Sequence, residues 1–303
     1  MSQTLPGPDA DRARIAAHLI LGPRPEPFLA TLLASLEGAV QRIIINDNSP
    51  DPSPHAEVLR ESSFAKCGAL IVDRTPFTSF DSARNICLKL HAEHDAGEWI
   101  LLIDADEVHG PQIARIVRHL HEVPPKYNCI DGYTWHFFGS FDWYLSIARR
   151  MMIVRYTPDL YWERPVHEQL RGILGARLAL PYLYAHYGHT LDARRHAEKH
   201  LHYRDLGAGD DTIEADVLER FEVERYYLTY FPQLLHFRGQ HPPAARKIIA
   251  ELRPQLAPFH ALVDGIARRQ PLPIRARNIL RSFNYAQRWR LRVLHPLALR
   301  LLR

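Results

Sequence analysis

The stretch Glu98-Trp99-Ile100-Leu101-Leu102-Ile103-Asp104-Ala105-Asp106-Glu107 decides the reading of this chain. An unbroken apolar run of this kind suits a strand covered on both faces, as in a parallel sheet. An acidic turn follows at once. Two carboxylates one residue apart, just past a buried strand, can aim at one hard cation, which takes oxygen ligands and bridges protein to substrate phosphates. A diphosphate leaving group needs its developing charge neutralised, and a metal does that as a Lewis acid. For an isolated Asp-X-Asp the plain alternative is a solvated acidic turn.

Upstream, strand and helix patterns alternate. Ile15 to Leu21 reads as a buried strand ended by Gly22-Pro23-Arg24-Pro25. Pro27 to Leu36 has helical apolar spacing, with Gly38 at its cap. Val40 to Ile45 is a second strand that runs into the turn Asn46-Asp47-Asn48-Ser49-Pro50-Asp51. A helix over His55 to Lys66, a strand over Gly68 to Val72 and a helix over Ser79 to His94 lead to the fourth strand, and Pro111 to His121 is helical again. The alternation predicts an α/β fold, Rossmann-like, with a mostly parallel sheet and flanking helices.

In such sheets ligands bind outside the carboxyl ends of the strands. Three polar clusters fall there: Asn46-Asp47-Asn48, Asp73-Arg74 and Asp104-Ala105-Asp106. Asp47 is placed to accept from a base or ribose, with an Asx-turn as its alternative role. Arg84, early in the helix before the fourth strand, can clamp a diphosphate, since a guanidinium matches phosphate geometry.

Downstream the pattern changes. Tyr133 to Phe138, Arg150 to Tyr156 and Tyr182 to Tyr187 read as aromatic-rich strands. Trp135, Phe137, Phe138, Phe141, Trp143 and Tyr144 suit either an acceptor-sugar wall or core packing. His186 and His189 fall at a strand end or loop, where packing or surface roles are expected ahead of a metal or phosphate role. From about Asp192 the chain turns helical, through Arg220 to Phe237 and Ala244 to Leu252, with a break at Pro271-Leu272-Pro273. His196, His200 and His202, near Lys199 and Arg204, read as a solvated helical face. The expected organisation is a disordered leader over 1–12, a catalytic domain over 13–190, and a helical C-terminal region over 191–303.

The 303 residues are 46% hydrophobic and 24% charged, with a net charge of +4, as for an ordinary globular chain. Three cysteines without paired spacing supply no disulfide framework or zinc knuckle. The polar start lacks an apolar signal segment, and no uncharged apolar run is long enough for a membrane span. After Asp264 there is no acidic residue, while ten arginines follow. Ser282 to Arg303 reads as a basic amphipathic helix suited to an anionic membrane interface or to packing on the domain. Nucleic acid is not expected as a partner, because no reader motif is present.

The order Ile44-Ile45-Asn46-Asp47-Asn48-Ser49-Pro50-Asp51, Ser82-Ala83-Arg84-Asn85 and the stretch from Glu98 to Glu107 resembles the family 2 glycosyltransferases of the GT-A fold. Within that family the chain is similar to bacterial lipopolysaccharide-core and cell-surface glycan enzymes. The likeness covers about residues 13 to 190. It implies a nucleotide-diphosphate sugar donor, a glycan, protein or lipid-linked acceptor, Mg2+ or Mn2+ as cofactor, and inversion. By resemblance Asp47 holds the nucleobase, with Asp73 beside it as a nucleotide-sugar contact, and Arg84 lies near the diphosphate. Asp106 is then the main metal ligand, and Asp104 supports the ribose or metal. In Trp162-Glu163-Arg164-Pro165-Val166-His167-Glu168, His167 would reach the metal or diphosphate and Glu168 would be the base. Asp142 is the alternative base. One departure is Leu21-Gly22-Pro23-Arg24-Pro25-Glu26 in place of the commoner Asn-Glu, which leaves open what touches the base. The lack of a signal segment, the sparse cysteines and the basic end together lead to the expectation of a cytoplasmic protein, peripheral on the inner face of the plasma membrane. Two other readings stand beside it. A nucleotidyltransferase would favour a Gly-rich phosphate loop after the first strand, where this chain has two prolines. A non-catalytic carbohydrate- or membrane-binding protein would have no need of Asp104, Asp106 and Glu168.

Overall fold

Strand β1 (Ile15–Leu21) lies between β2 (Arg42–Asp47) and β4 (Trp99–Leu102) and is parallel to both. Its residues alternate between two cores. Ile15, Ala17, Leu19 and Leu21 pack with α1 (Leu29–Leu36) and α5 (Gln112–Arg118), while Ala16 and Ile20 meet Cys87 and Leu90 of α4 (Phe80–Glu93). Cover on both faces is why the middles of these strands are mostly apolar, with His18 of β1 the buried polar exception. β3 (Leu70–Asp73) extends the parallel half beyond β2. The helix expected over 55–66 is two, α2 (Ala56–Glu61) and α3 (Ser63–Lys66). Ser62 interrupts it by turning extended and capping the second piece, its side chain accepting from the Ala65 N–H.

This computed structural model describes residues 13–191, 193–207, 223–230 and 234–286. The expected leader and the tail from 287 onward lie outside the described residues.

After β4 comes the two-residue strand β5 (Glu107–Val108), and then three long strands build the other half of the sheet: β6 (Tyr127–Phe138), β7 (Trp143–Arg155) and β10 (Ala176–His189). β7 runs antiparallel to β4 and β6, and β6 pairs in parallel with β10. The sheet order is β3-β2-β1-β4-β7-β6-β10-β5, with β11 (Leu235–His236) on the side of β7. A separate hairpin is formed by β8 (Tyr161–Glu163) and β9 (Gln169–Arg171). The architecture is α/β and GT-A-like, with flanking and C-terminal helices.

Those last helices are α6 (Ala193–Asp205), α7 (Val223–Tyr230), α8 (Ala245–Arg268) and α9 (Leu272–Ala286). Helix α8 continues through Pro254 and Pro258, well past the expected end at Leu252, because Val263, Ile266 and Ala267 carry its apolar face onto Phe138 and Tyr227. Part of the segment expected to be helical to Phe237 is instead strand β11, with Leu235 in a core shared with Phe137 and Tyr144. No helix among the described residues is long and apolar enough to cross a membrane.

Candidate functional site

The ends of β1 and β4, the turn into β5 and helix α4 open onto a cavity of about 890 Å³. That size suits a small-molecule ligand. Helix α4 is capped by Ser79, whose hydroxyl accepts from the Ser82 N–H. Its first turns hold the β8–β9 hairpin. The Asn85 side chain donates to the Trp162 carbonyl at 2.9 Å and accepts from the Trp162 N–H at 2.8 Å, as a neighbouring strand would. The Phe80 N–H donates to the Pro165 carbonyl at 3.1 Å. These ties bring Glu168 against Arg84.

Arg84 is buried, and its fork bridges two carboxylates. Nε donates to Glu168 Oε1 at 2.6 Å, and Nη2 donates to Asp104 Oδ1 at 2.7 Å. The guanidinium also lies 5.1 Å from the centre of the Trp162 ring. Burial works against the Arg84 charge, but Asp104 and Glu168 more than offset it and raise its pKa. Asp104 answers in kind. Burial opposes its charge, yet Arg84 and Arg150 hold its carboxyl well below the usual carboxylate range. Its Oδ2 lies 3.5 Å from Arg150 Nη2, so both oxygens face a guanidinium.

Asp106 is placed differently. Burial, and then the Asp104 charge, push its pKa up. Its Oδ1 lies 3.2 Å from His186 Nε2, an ion-pairing distance, but the geometry makes no hydrogen bond and the buried oxygen has no donor. The Tyr187 N–H donates to the Asp106 carbonyl at 2.9 Å, and Gly188 lets the side chain nest against β10, since a β-carbon there would overlap Asp106 Oδ2. A buried carboxylate oxygen without a donor calls for a partner from outside the chain. The donor set at this point therefore fits a divalent cation, with Asp106 rather than Asp104 as the open carboxylate.

Two further carboxyls share the wall. Glu26 accepts from Arg195 Nη2 at 2.8 Å and is pushed up to about 7, first by burial and then by Asp106, against the pull of Arg195 and Lys199. Glu107 is pushed up to about 8 by burial and then by Asp104. Both values exceed the ordinary 4.5. The folded chain thus binds more protons than the unfolded one above pH 4.5, and stability falls as pH rises through each folded value. Glu26→Gln is expected to flatten the part of this slope below about pH 7, and to stabilise the chain above it by on the order of 1–3 kcal/mol. Thermal melts across that range check it, and an unchanged slope rules Glu26 out as its source.

Of the residues that the sequence singles out, Arg84, Asp104, Asp106, His167 and Glu168 all line the cavity. Asp47 and Asp73 are not among the lining residues, although Asn48 is. Asp47 is buried: Oδ1 accepts from the Ser49 N–H and hydroxyl, and Oδ2 accepts from the Ser53 hydroxyl and, at 2.7 Å, from Arg74 Nη1. Asp73 Oδ1 accepts from Asn46 Nδ2 and the Thr75 N–H. In this structure both shape the loops beside the rim. His167 is exposed, with φ at +53°, and its ring stands edge-on to Tyr203 at 6.0 Å. A left-handed non-glycine residue stores strain of about 1–3 kcal/mol, and such residues cluster at functional sites. Asp142, the alternative base, is held by both Nη atoms of Arg253 at 2.7 and 2.8 Å, away from the cavity wall.

Of the two roles open to these aromatics, core packing holds for most of them. Phe137, Phe141 and Tyr144 are buried, and Trp135 packs on them with Phe237. Phe77, Phe80, Trp162 and Tyr203 line the cavity instead. Sequence reasoning missed Glu26, Arg150 and Lys199. Lys199 was expected on a solvated face, yet it lines the cavity beside Asp106 and Tyr203, which together with Asp104 hold its pKa up against burial. The available signal was the i, i+4 row Arg195, Lys199, Tyr203, which puts all three on one helix face.

No family model matches the chain, and no curated protein does. Among solved structures, the chain is similar to S. aureus TarS 1-349 at 11% identity, over 84% of this chain and 88% of that one, with a TM-score of 0.36. It is similar to GalNAc-T7 with UDP, GalNAc and Mn2+ at 17% identity, over 50% of this chain and 31% of that one, with a TM-score of 0.33. The match thus spans about a third of the GalNAc-T7 chain. A third similarity is to 4-diphosphocytidyl-2C-methyl-D-erythritol synthase at 12% identity, over 47% of this chain and 75% of that one, with a TM-score of 0.31.

Proposed function

We propose that the chain is a glycosyltransferase that moves a sugar from a nucleotide-diphosphate donor to a glycan, protein or lipid-linked acceptor with inversion, as a family 2 enzyme. The observation that carries this reading is the buried Arg84 fork joining Asp104 at the sheet rim to Glu168 on the facing hairpin, inside a cavity that also holds Asp106, Arg150 and Lys199. Asp106, with Asp104 behind it, would hold Mg2+ or Mn2+, and the ion when bound supplies positive charge to the diphosphate.

The chain's own groups do the rest. Arg84, Arg150 and Lys199 turn cationic heads toward the same space and favour the diphosphate charge that grows as the sugar leaves. Glu168 takes the proton from the acceptor hydroxyl while the acceptor oxygen attacks the anomeric carbon opposite the diphosphate. Arg84 fixes the orientation of Glu168 through the 2.6 Å hydrogen bond. Asn48, next to Asp47, and the loop through Glu26 offer polar contacts to the nucleoside end. The acid-free, Arg-rich end of the sequence suits an anionic membrane surface on the cytoplasmic side, which would bring the enzyme to a lipid-linked acceptor.

A thermal-shift screen of nucleoside diphosphates with and without Mn2+ tests the reading. A true donor nucleotide at about 100 times its Kd stabilises by about 2.7 kcal/mol, and the absence of any shift across uridine, guanosine, cytidine and thymidine diphosphates would sink it. With the donor in hand, Glu168→Gln keeps an oxygen for Arg84 but loses the base. It is expected to lower kcat by about 10²–10⁴-fold with little change in donor KM. A kcat within a few-fold of the parent would remove Glu168 from the role.

A further inference from the structure

His136, His186 and His189 bring three ring nitrogens within 4.8 Å of one another. The sheet assembles them. His136 on β6 and His186 on β10 are direct partners in a parallel pairing, so their side chains share a face. His189, three residues on, would point to the opposite face of a regular strand. The register shift between His186 and His189 inserts an extra residue and returns it to the same face, as a bulge does. The rings of His186 and His189 lie 4.6 and 4.7 Å from the His136 ring.

The cluster is chemically ready for a ligand. His186 is 4% exposed, and its Nδ1 has no hydrogen-bond partner. Asp106 Oδ1, also without a hydrogen-bond partner, adjoins the group 3.2 Å from His186 Nε2. Three imidazoles suit a borderline transition ion, whereas Mg2+ prefers oxygen and water.

We propose that His136, His186 and His189 form a binding site for a transition-metal dication of the Zn2+ type, with Asp106 adjoining it from the cavity side. This deepens the reading above and rests on it only in taking Asp106 to face a cation. The ion that the site selects is then set by imidazole donors, and Mg2+ is the poorer occupant.

The test uses the full chain, stripped with chelator and titrated without nucleotide. One Zn2+ per chain is expected to survive desalting, and Co2+ to give visible absorption of a nitrogen-rich site. His136→Asn and, independently, His189→Asn should weaken Zn2+ binding by at least about 10-fold with the circular dichroism spectrum kept. Less than stoichiometric Zn2+, or equal affinity in the folded variants, overturns the site. Intact Zn2+ binding in a chain that ignores every nucleotide diphosphate would instead overturn the proposed transfer and leave this site standing.

Discussion

Asp106→Ala is expected to lower kcat/KM for the proposed sugar transfer by at least about 10³-fold, the equivalent of several kcal/mol of charge stabilisation at the leaving diphosphate. Asp106 carries the carboxylate oxygen in the cavity wall that no donor reaches. Asp104 does not replace it, since both its oxygens face Arg84 and Arg150. The same substitution should leave the melting temperature unchanged or raise it. Burial and Asp104 disfavour the Asp106 charge in the folded chain, so its removal relieves a cost at neutral pH. A large loss of rate without a loss of stability separates a ligand-holding group from a structural one. Residual activity in this variant should also be insensitive to chelator. Full activity would remove Asp106 from the centre of the site.

Arg84→Ala should be damaging in a different way, lowering stability and rate together. The guanidinium is the shared partner of Asp104 and Glu168, and without it two carboxylates are left in one wall. Removing one member of a buried pair costs about 3–5 kcal/mol, and the partial exposure of Asp104 and Glu168 places this site at the lower end. For a chain of this size the melting temperature should fall by roughly 4–6 °C. Asp104 adds a pH signature. Its depressed pKa makes a stabilising contribution that is present above the ordinary 3.8 and lost as pH falls through the folded value. Without Arg84 that contribution shrinks, so acid unfolding should begin at higher pH. Arg84→Lys retains a charge but not the two-armed fork, and should recover part of the stability and little of the rate. An unchanged melting temperature and acid midpoint in Arg84→Ala would show that the bridge is not formed in solution.

The parallel half of the sheet was legible because local pattern and tertiary cover agree there. Ile15 to Leu21 and Trp99 onward are apolar on both faces since helices lie on both. The long strands were read too short. Asp131 shows why: a carboxylate in mid-strand looks like a turn signal, but here it is fully buried and holds Arg149 and Arg177, each at 2.6 Å. Only the pairing of β6 with β7 and β10 supplies those partners. The site divides along the same line. Asp104, Asp106, Arg84, His167 and Glu168 announce themselves by short motifs at strand and helix ends. Glu26, Arg150, Lys199 and the His136–His186 pairing depend on which distant strand or helix lies alongside, and periodicity within one segment carries no such information.

The two-residue strand β5 constrains how this chain could be re-engineered. Glu107 and Val108 pair with His186 and Ala185, stitching the acidic turn to the last part of β10. The part of this chain up to β5 could not be spliced onto a foreign remainder without also transplanting residues 185–189. Chimaeras that respect this seam should inherit an assembled cavity floor, while those that cut across it should fold around a misaligned one.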